Sequence, residues 1–315
     1  MQTVSMNRRQ FLKSSIIAAT LAANGRLPLL AAETGSGLSI DASTGPCAVK
    51  PIRDHLSRFL PAEPHQSKWQ HYTLTYDIIH WSWAKGKRGT YANSVIGQAV
   101  INRRAENDRI MYNISQQTRI GGVNNVIEAQ IISNVNDISS LRSWRLRSYE
   151  RGLNGEKDRL SELTEQGTCR GGKIRIESGD YHYEFDARNH VVSQWTIPDF
   201  LIQKASPQLD AKFDLLHDLS LFKPNQHLVY DGQIVVKCKG GQKVTLQTFA
   251  QTGQAILPIH YLIDAQRRPQ LITSSILSWA LSGQTNAVTP SLKICSVPKA
   301  TEFPETSPTT ALPKP

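Results

Sequence analysis

The chain has 315 residues, of which 39% are hydrophobic and 20% are charged. These proportions are those of an ordinary globular protein and exclude a chain that is disordered throughout or embedded in a membrane. The formal net charge is +10 at pH 7, and a positive surface favours anionic partners such as phospholipid head groups or acidic polysaccharide. We expect no nucleic-acid partner, because the sequence has no recognition motif and no basic run with interleaved aromatic residues.

The amino terminus carries the pattern of an export signal. Residues 7–13, NRRQFLK, resemble the twin-arginine signal motif, and a moderately apolar stretch follows that is too short and too mixed to span a bilayer stably. We predict a twin-arginine signal peptide over residues 1–32, cleaved after Ala23 or Ala32. The translocase is then a partner during export, the destination is the periplasm or the extracellular space, and the mature form has no transmembrane segment.

Composition divides the rest of the chain into three parts. A flexible leader is predicted over residues 33–50, a β-rich domain over 51–283, and a disordered tail rich in proline and threonine over 284–315. Within the domain, the polar stretch 150–168 is the place where two subdomains would separate.

Alternating side chains predict that strands dominate this domain. Between Tyr72 and Ile78 every second residue is apolar, as one buried face of a strand requires. Similar runs follow, and pairs of residues typical of hairpin turns separate them. These pairs stand at residues 171–172, 179–180, 231–232 and 240–241.

Helical spacing of apolar residues appears in three places. A leading helix is predicted over residues 51–60, and short inserted helices over 197–202 and 209–219. The predicted fold is therefore mainly β, an antiparallel curved sheet or half-barrel with one face covered by helix. A β-sandwich is the alternative.

This order of elements, a leading helix, long antiparallel strands and central helices, resembles the half-barrels of exported lipoprotein carriers and their relatives. The resemblance is one of architecture and covers residues 51–283. It implies a sheet whose interior accepts an apolar or amphiphilic ligand.

The best candidates for catalysis lie in one predicted strand. Alternation would place Asp180, His182 and Glu184 on one face, where they could move a proton or bind a metal. Residues 180 and 184 would lie about 13 Å apart, too far to share one ion from a regular strand. The competing interpretation is a solvated polar face over an aromatic inner face.

The candidate ligand-binding residues are Arg142, Arg145 and Arg147, because guanidinium groups pair well with phosphate or carboxylate. A solvated outer face is again the competing interpretation. The four cysteines have no metal-ligand spacing, so no metal site is predicted from them. They allow two disulfides in three connectivities, or four buried thiols, among Cys47, Cys169, Cys238 and Cys295.

Three functions follow from these observations. The leading hypothesis is a periplasmic protein that binds or carries an apolar or anionic ligand of the cell envelope. The alternatives are an envelope hydrolase or metal-dependent enzyme that uses His182, and an accessory or structural protein without catalysis. No motif of a known enzyme class is present, and the sequence indicates no particular cofactor.

Overall fold

A computed structural model describes residues 71–83, 91–120, 123–136, 138–152, 154–237, 243–274 and 277–282. The predicted signal peptide, leader, leading helix and tail all lie outside the described residues. In the described part of the chain, no helix is both long and apolar enough to cross a membrane.

The described residues form fifteen strands and one helix. In chain order these are β1 His71–Trp83, β2 Tyr91–Ala105, β3 Arg109–Ile120, β4 Val123–Asn134, β5 Leu141–Arg151, β6 Lys157–Arg170, β7 Lys173–Ser178, β8 Tyr181–Asp186, β9 Val191–Val192, α1 Ile197–Lys204, β10 Asp210–His217, β11 Leu221–Lys237, β12 Lys243–Thr252, β13 Ile259–Ile263, β14 Pro269–Thr273 and β15 Leu277–Leu281. The mainly β fold class predicted from the sequence is confirmed.

All fifteen strands belong to one open sheet rather than to the two sheets of a sandwich. Strands β1–β8 follow one another as a meander, β10–β15 form a second one, and the two arms join where β1 pairs with β15. Every pairing is antiparallel except that of β9 with β10. The stretch 150–168 contains the end of β5 and most of β6, which pair with each other inside this sheet.

The first strand shows why these sequences form a half-buried sheet. Leu74, Tyr76 and Ile78 are buried and lie on one face, as predicted. This face, which α1 also contacts, is called the inner face below. A bulge between Ile78 and Ile79 then turns the strand so that Ile79 is buried as well.

Two local predictions were wrong. Residues 209–219 form β10 and a turn instead of a helix, because the run Phe213–Leu216 is buried throughout and pairs with strands on both sides. Such an uninterrupted apolar run fits a buried strand as well as a helix. Asp231 and Gly232 do not form a turn between two strands. They lie at a register shift inside β11, where Gly232 has φ +94°.

Helix α1 contacts both arms of the sheet and confirms the short helix predicted there. Phe200 and Leu201 pack in a cluster with β10–β13, while Ile202 packs in a cluster with residues of β1–β7. The first six residues of the eight-residue helix are buried. Part of the inner face is thus covered by a short helical insertion.

Gly97 offers a test of how closely β2 and β3 approach. A Cβ atom at this position would lie 1.9 Å from the carbonyl oxygen of Gln117, so the Gly97→Ala change forces the backbone of β3 to move. We expect the free energy of unfolding to fall by about 1–3 kcal/mol, the usual cost of overpacking, in urea denaturation. Gly152→Ala is the control, since its Cβ would meet the exposed Asn154 side chain at 2.9 Å and backbone only at 4.0 Å. Equal effects of the two changes would contradict the prediction.

Candidate ligand-binding site

The residues predicted for catalysis lie apart from the buried interior. Asp180 belongs to the turn before β8, and His182 is exposed on that strand. Glu184 lies 2.5 Å from Lys173 Nζ and 2.9 Å from Arg175 Nε. Hydrogen bonds from Lys173 and Arg175 lower the pKa of Glu184 below its ordinary value. Among the described residues, no group of three or more histidine, cysteine, aspartate or glutamate side chains could hold a metal ion.

The predicted arginines also have local partners. Arg147 donates from Nε to Glu162 Oε1 at 2.6 Å and lies 3.9 Å from Glu128. Arg142 stands at a bulge of β5, 3.8 Å from the exposed Asp108. This stripe is therefore largely paired within the protein's own surface.

The members of both sets that stand in regular strand pairing, Arg145, Arg147, His182 and Glu184, lie on the face of the sheet opposite α1. The strand register places Arg145 and His182 in one continuous row of polar side chains, one from each of β1–β8. The row consists of Thr73, Asn102, Asn113, Gln130, Arg145, Gln166, Glu177 and His182. This outer face has the character of a solvated sheet surface.

Cys169 lies in β6 and carries a free thiol. Burial, followed by the nearby Asp214 carboxylate, raises the pKa of this thiol. The other three cysteines lie outside the described residues, so the disulfide pairing stays a prediction.

The inner face holds a convergent polar site that the sequence analysis did not single out. Tyr72 of β1, Arg103 of β2 and Tyr112 of β3 stand directly opposite one another in the strand register. Their side chains therefore form three consecutive members of one row on the inner face. Arg103 and Tyr112 are buried, whereas Tyr72 is only partly buried.

All three side chains meet the carboxylate of Asp199, in the first turn of α1. Tyr72 Oη donates to Asp199 Oδ1 at 2.5 Å, and Tyr112 Oη donates to Oδ2 at 2.5 Å. Arg103 Nε lies 2.8 Å from Oδ1, and both side chains of this ion pair are nearly inaccessible to solvent. We call these four residues the Asp199 cluster.

The electrostatics of the cluster agree with its geometry. Burial, followed by the charge of Asp199, raises the pKa of Tyr72 and of Tyr112 well above the ordinary value. Burial lowers the pKa of Arg103, but the attraction of Asp199 outweighs it and the pKa is raised. Both phenols therefore keep their protons, and the guanidinium keeps its charge, as three donors to one anion.

Apolar side chains surround the cluster on the same face. Its row continues from Tyr112 to Ile131 of β4 and Trp144 of β5, both buried. The next row begins with Leu74 and Ile101, which are also buried. A cationic group and two phenols thus stand at one end of an apolar surface.

The polypeptide over this surface has two further polar contacts with the sheet. Trp195, just before α1, donates from Nε1 to Gln116 Oε1 at 3.2 Å. Ser220, in the turn between β10 and β11, donates from Oγ to the buried Glu165 of β6. In this turn Asp218 and Leu219 have φ of +50° and +57°, an uncommon conformation for residues other than glycine.

The sequence contains a weak signal for this site. In β2 the alternation that buries Ile101 also places Arg103 on the inner face, and in α1 Asp199 interrupts an apolar run. A charged residue in an apolar position of a predicted element calls for a buried partner. Tyr112 and Tyr72, two partners of Asp199, stand 87 and 127 residues away from it along the chain, however, so no local pattern connects them.

Comparison with known proteins gives no relative. No family model, no curated protein and no solved structure matches the chain. The function is therefore argued from the site alone.

Proposed function

We propose that this chain is an exported binding protein of the bacterial envelope that carries an amphiphile with an anionic group. The hydrocarbon part of the ligand lies on the apolar inner face of β1–β7, under the segment that contains α1. No chemical step is assigned to the protein.

One observation carries this proposal: a buried arginine and two phenols stand beside an apolar sheet surface that a short helix covers. Ligand sites are commonly apolar surfaces with a few convergent polar groups that fix orientation. Here the apolar part is formed by residues such as Ile131, Trp144 and Leu74, and the polar part by the donors of the Asp199 cluster. The covering helix is not one of the hydrogen-bonded strands of the sheet.

The compartment follows from the amino-terminal motif. The Arg8-Arg9 pair, the Phe-Leu-Lys continuation and the apolar stretch stand in the order that the twin-arginine route requires. Amphiphiles of the envelope are encountered where such a signal delivers its passenger.

The test is native mass spectrometry of the full-length chain, expressed with its signal in a bacterium and recovered from the periplasm. We expect a mature protein without residues 1–32, or without part of them, that retains an amphiphile identifiable after solvent extraction. The Arg8→Lys, Arg9→Lys variant is the control and should remain in the cytoplasm with its signal attached. A periplasmic protein that carries no amphiphile and takes up none from mixed phospholipid and fatty-acid micelles would refute the proposal.

A further inference from the structure

We infer that Tyr72, Arg103 and Tyr112 form the binding site for the anionic head group of the ligand, and that the Asp199 carboxylate occupies this site when no ligand is bound. The inference rests on the proposed function and specifies its ligand, an amphiphile with a carboxylate or phosphate group. Asp199 then competes with the ligand from within the same chain.

The division of donors and acceptor between two elements supports this inference. The three donors belong to adjacent strands of one sheet, whereas the acceptor belongs to α1. Neighbouring strands lie about 4.8 Å apart, so the hydrogen-bonded sheet holds the donors in place whether or not the helix is present. Removal of Asp199 would leave a guanidinium and two hydroxyl groups directed at one point, an arrangement that suits a single oxyanion.

The surroundings indicate the rest of the ligand. From the head-group site, the row of inner-face residues continues through Ile131 and Trp144 to Gly167 and Ile176. The Trp144 ring packs directly over Gly167, where a Cβ would lie 2.2 Å from Trp144 Cζ2, so the two residues form a continuous apolar surface. A hydrocarbon chain attached to the head group would lie along this apolar row, in the place of side chains of the covering segment.

Helix α1 is held to the sheet by the buried residues 197–202, and a ligand that displaces it must replace their contacts. It contains eight residues, its N-cap residue Thr196 makes no side-chain capping bond, and a helix of this length is marginal without tertiary contacts. Tyr72, the least buried donor, adjoins the exposed His71 at the start of β1 and marks the side from which a head group reaches the site. A ligand displaces the helix only if it binds the uncovered sheet more tightly than the covered one.

The experiment compares three probes of equal chain length, dodecanoate, dodecyl phosphate and uncharged dodecanol, by calorimetric titration of delipidated mature protein. In the Asp199→Ala variant the internal competitor is gone, so we expect dodecanoate or dodecyl phosphate to bind roughly tenfold or more tightly than to the wild type. The affinity for dodecanol should rise much less. The stronger of the two anionic probes identifies the head group.

Two variants separate this effect from a general loosening of the fold. Asp214→Ala also removes a fully buried carboxylate, but the partners of Asp214 include the backbone N–H groups of Arg188, Asn189 and Asn225, and no arginine side chain. It should lose stability without gaining preference for the anionic probes. Adding Arg103→Met to Asp199→Ala should abolish the gain.

Thermal unfolding of Asp199→Ala gives a second measurement, since dodecanoate should raise its melting temperature more than that of the wild type. If Asp199→Ala does not fold by itself, dodecanoate should restore the fold, and the isosteric Asp199→Asn variant should show a smaller gain in affinity. Failure of both variants to fold with or without the probe would overturn the inference.

The outcomes distinguish this inference from the proposed function. An amphiphile retained by the periplasmic wild type, with equal gains for dodecanol and dodecanoate in Asp199→Ala, would overturn the head-group site and leave the carrier function standing. A selective gain for the anionic probes in a protein that carries no amphiphile from the periplasm would support the anion site and refute the carrier.

Discussion

Replacing Arg103 with methionine should lower the free energy of unfolding by about 3–5 kcal/mol, because it leaves the Asp199 carboxylate buried without its cation. The side chains of the pair expose only 6% and 1% of their surface, so solvent cannot take over the lost interaction without unfolding the site. Tyr72 and Tyr112 would still donate, and their hydrogen bonds set the lower end of this range. Urea denaturation of the mature protein measures the change.

The double variant Arg103→Met, Asp199→Leu completes the test. Replacing a buried ion pair with apolar residues is often nearly neutral, so we expect the double variant to recover most of the stability that the single variant loses. Two phenols then lose their acceptor, which keeps the recovery incomplete. If the double variant loses as much stability as Arg103→Met and Asp199→Leu lose together when measured separately, the two residues are not energetically coupled.

Asp264→Ala is the second change for which we expect a large effect, again about 3–5 kcal/mol. The Asp264 carboxylate is 2.7 Å from Arg268 Nη2 and accepts backbone N–H bonds from Gln266 and Arg268, each at 2.9 Å. It also accepts from Gln270 Nε2 at 2.6 Å. Its removal leaves a buried guanidinium and opens the turn between β13 and β14. The measurement is the midpoint and slope of urea denaturation.

Glu184→Ala is the matched control for this change. Glu184 is likewise a carboxylate in ion pairs, here with Lys173 and Arg175, but it is exposed. Exposed ion pairs usually contribute between 0 and about 1 kcal/mol to the free energy of unfolding. We expect a loss within that range for Glu184→Ala. A loss as large as that of Asp264→Ala would mean that burial is not what separates the two sites.

The Asp264–Arg268 and Asp199–Arg103 ion pairs differ in the elements that they connect. Asp264 and Arg268 belong to the same hairpin and stand four residues apart, so their pairing stabilises one turn. Asp199 and Arg103 stand in different elements, and their pairing joins the helix to the sheet. In the head-group site that we propose, the second pair is the one that a ligand replaces, because its two members belong to no common strand connection.

Much of the fold was predictable from the sequence because strand alternation is local. The inner-face positions Leu74, Tyr76 and Ile78 were assigned correctly, and so was the helix at Ile197. The error at 209–219 has a physical reason, since an apolar run that is buried on both faces loses the alternation that identifies a strand. The error at Gly232 has a different reason, because a bulge and a hairpin turn require similar backbone angles.

The candidate site was not predictable in the same way. The sequence analysis selected His182 because strand alternation groups it with two carboxylates, and Arg147 because guanidinium pairs well with phosphate or carboxylate. Both side chains lie on the outer face. In the sequence Arg103 is one of many basic residues, and only the strand register places it beside Tyr112. Its partner Asp199 stands on a helix that follows nine strands along the chain.

The sequence by itself determined most of the segments that become strands, which face of an alternating strand is apolar, and the export signal that we predict, because each depends on neighbouring residues. Only the tertiary structure decided which polar side chains meet. The register of β1, β2 and β3 aligns Tyr72, Arg103 and Tyr112, and the return of α1 to the inner face brings Asp199 to them. These four residues are distant in the sequence but form one site, because buried charged and polar groups are stable only when they pair with each other.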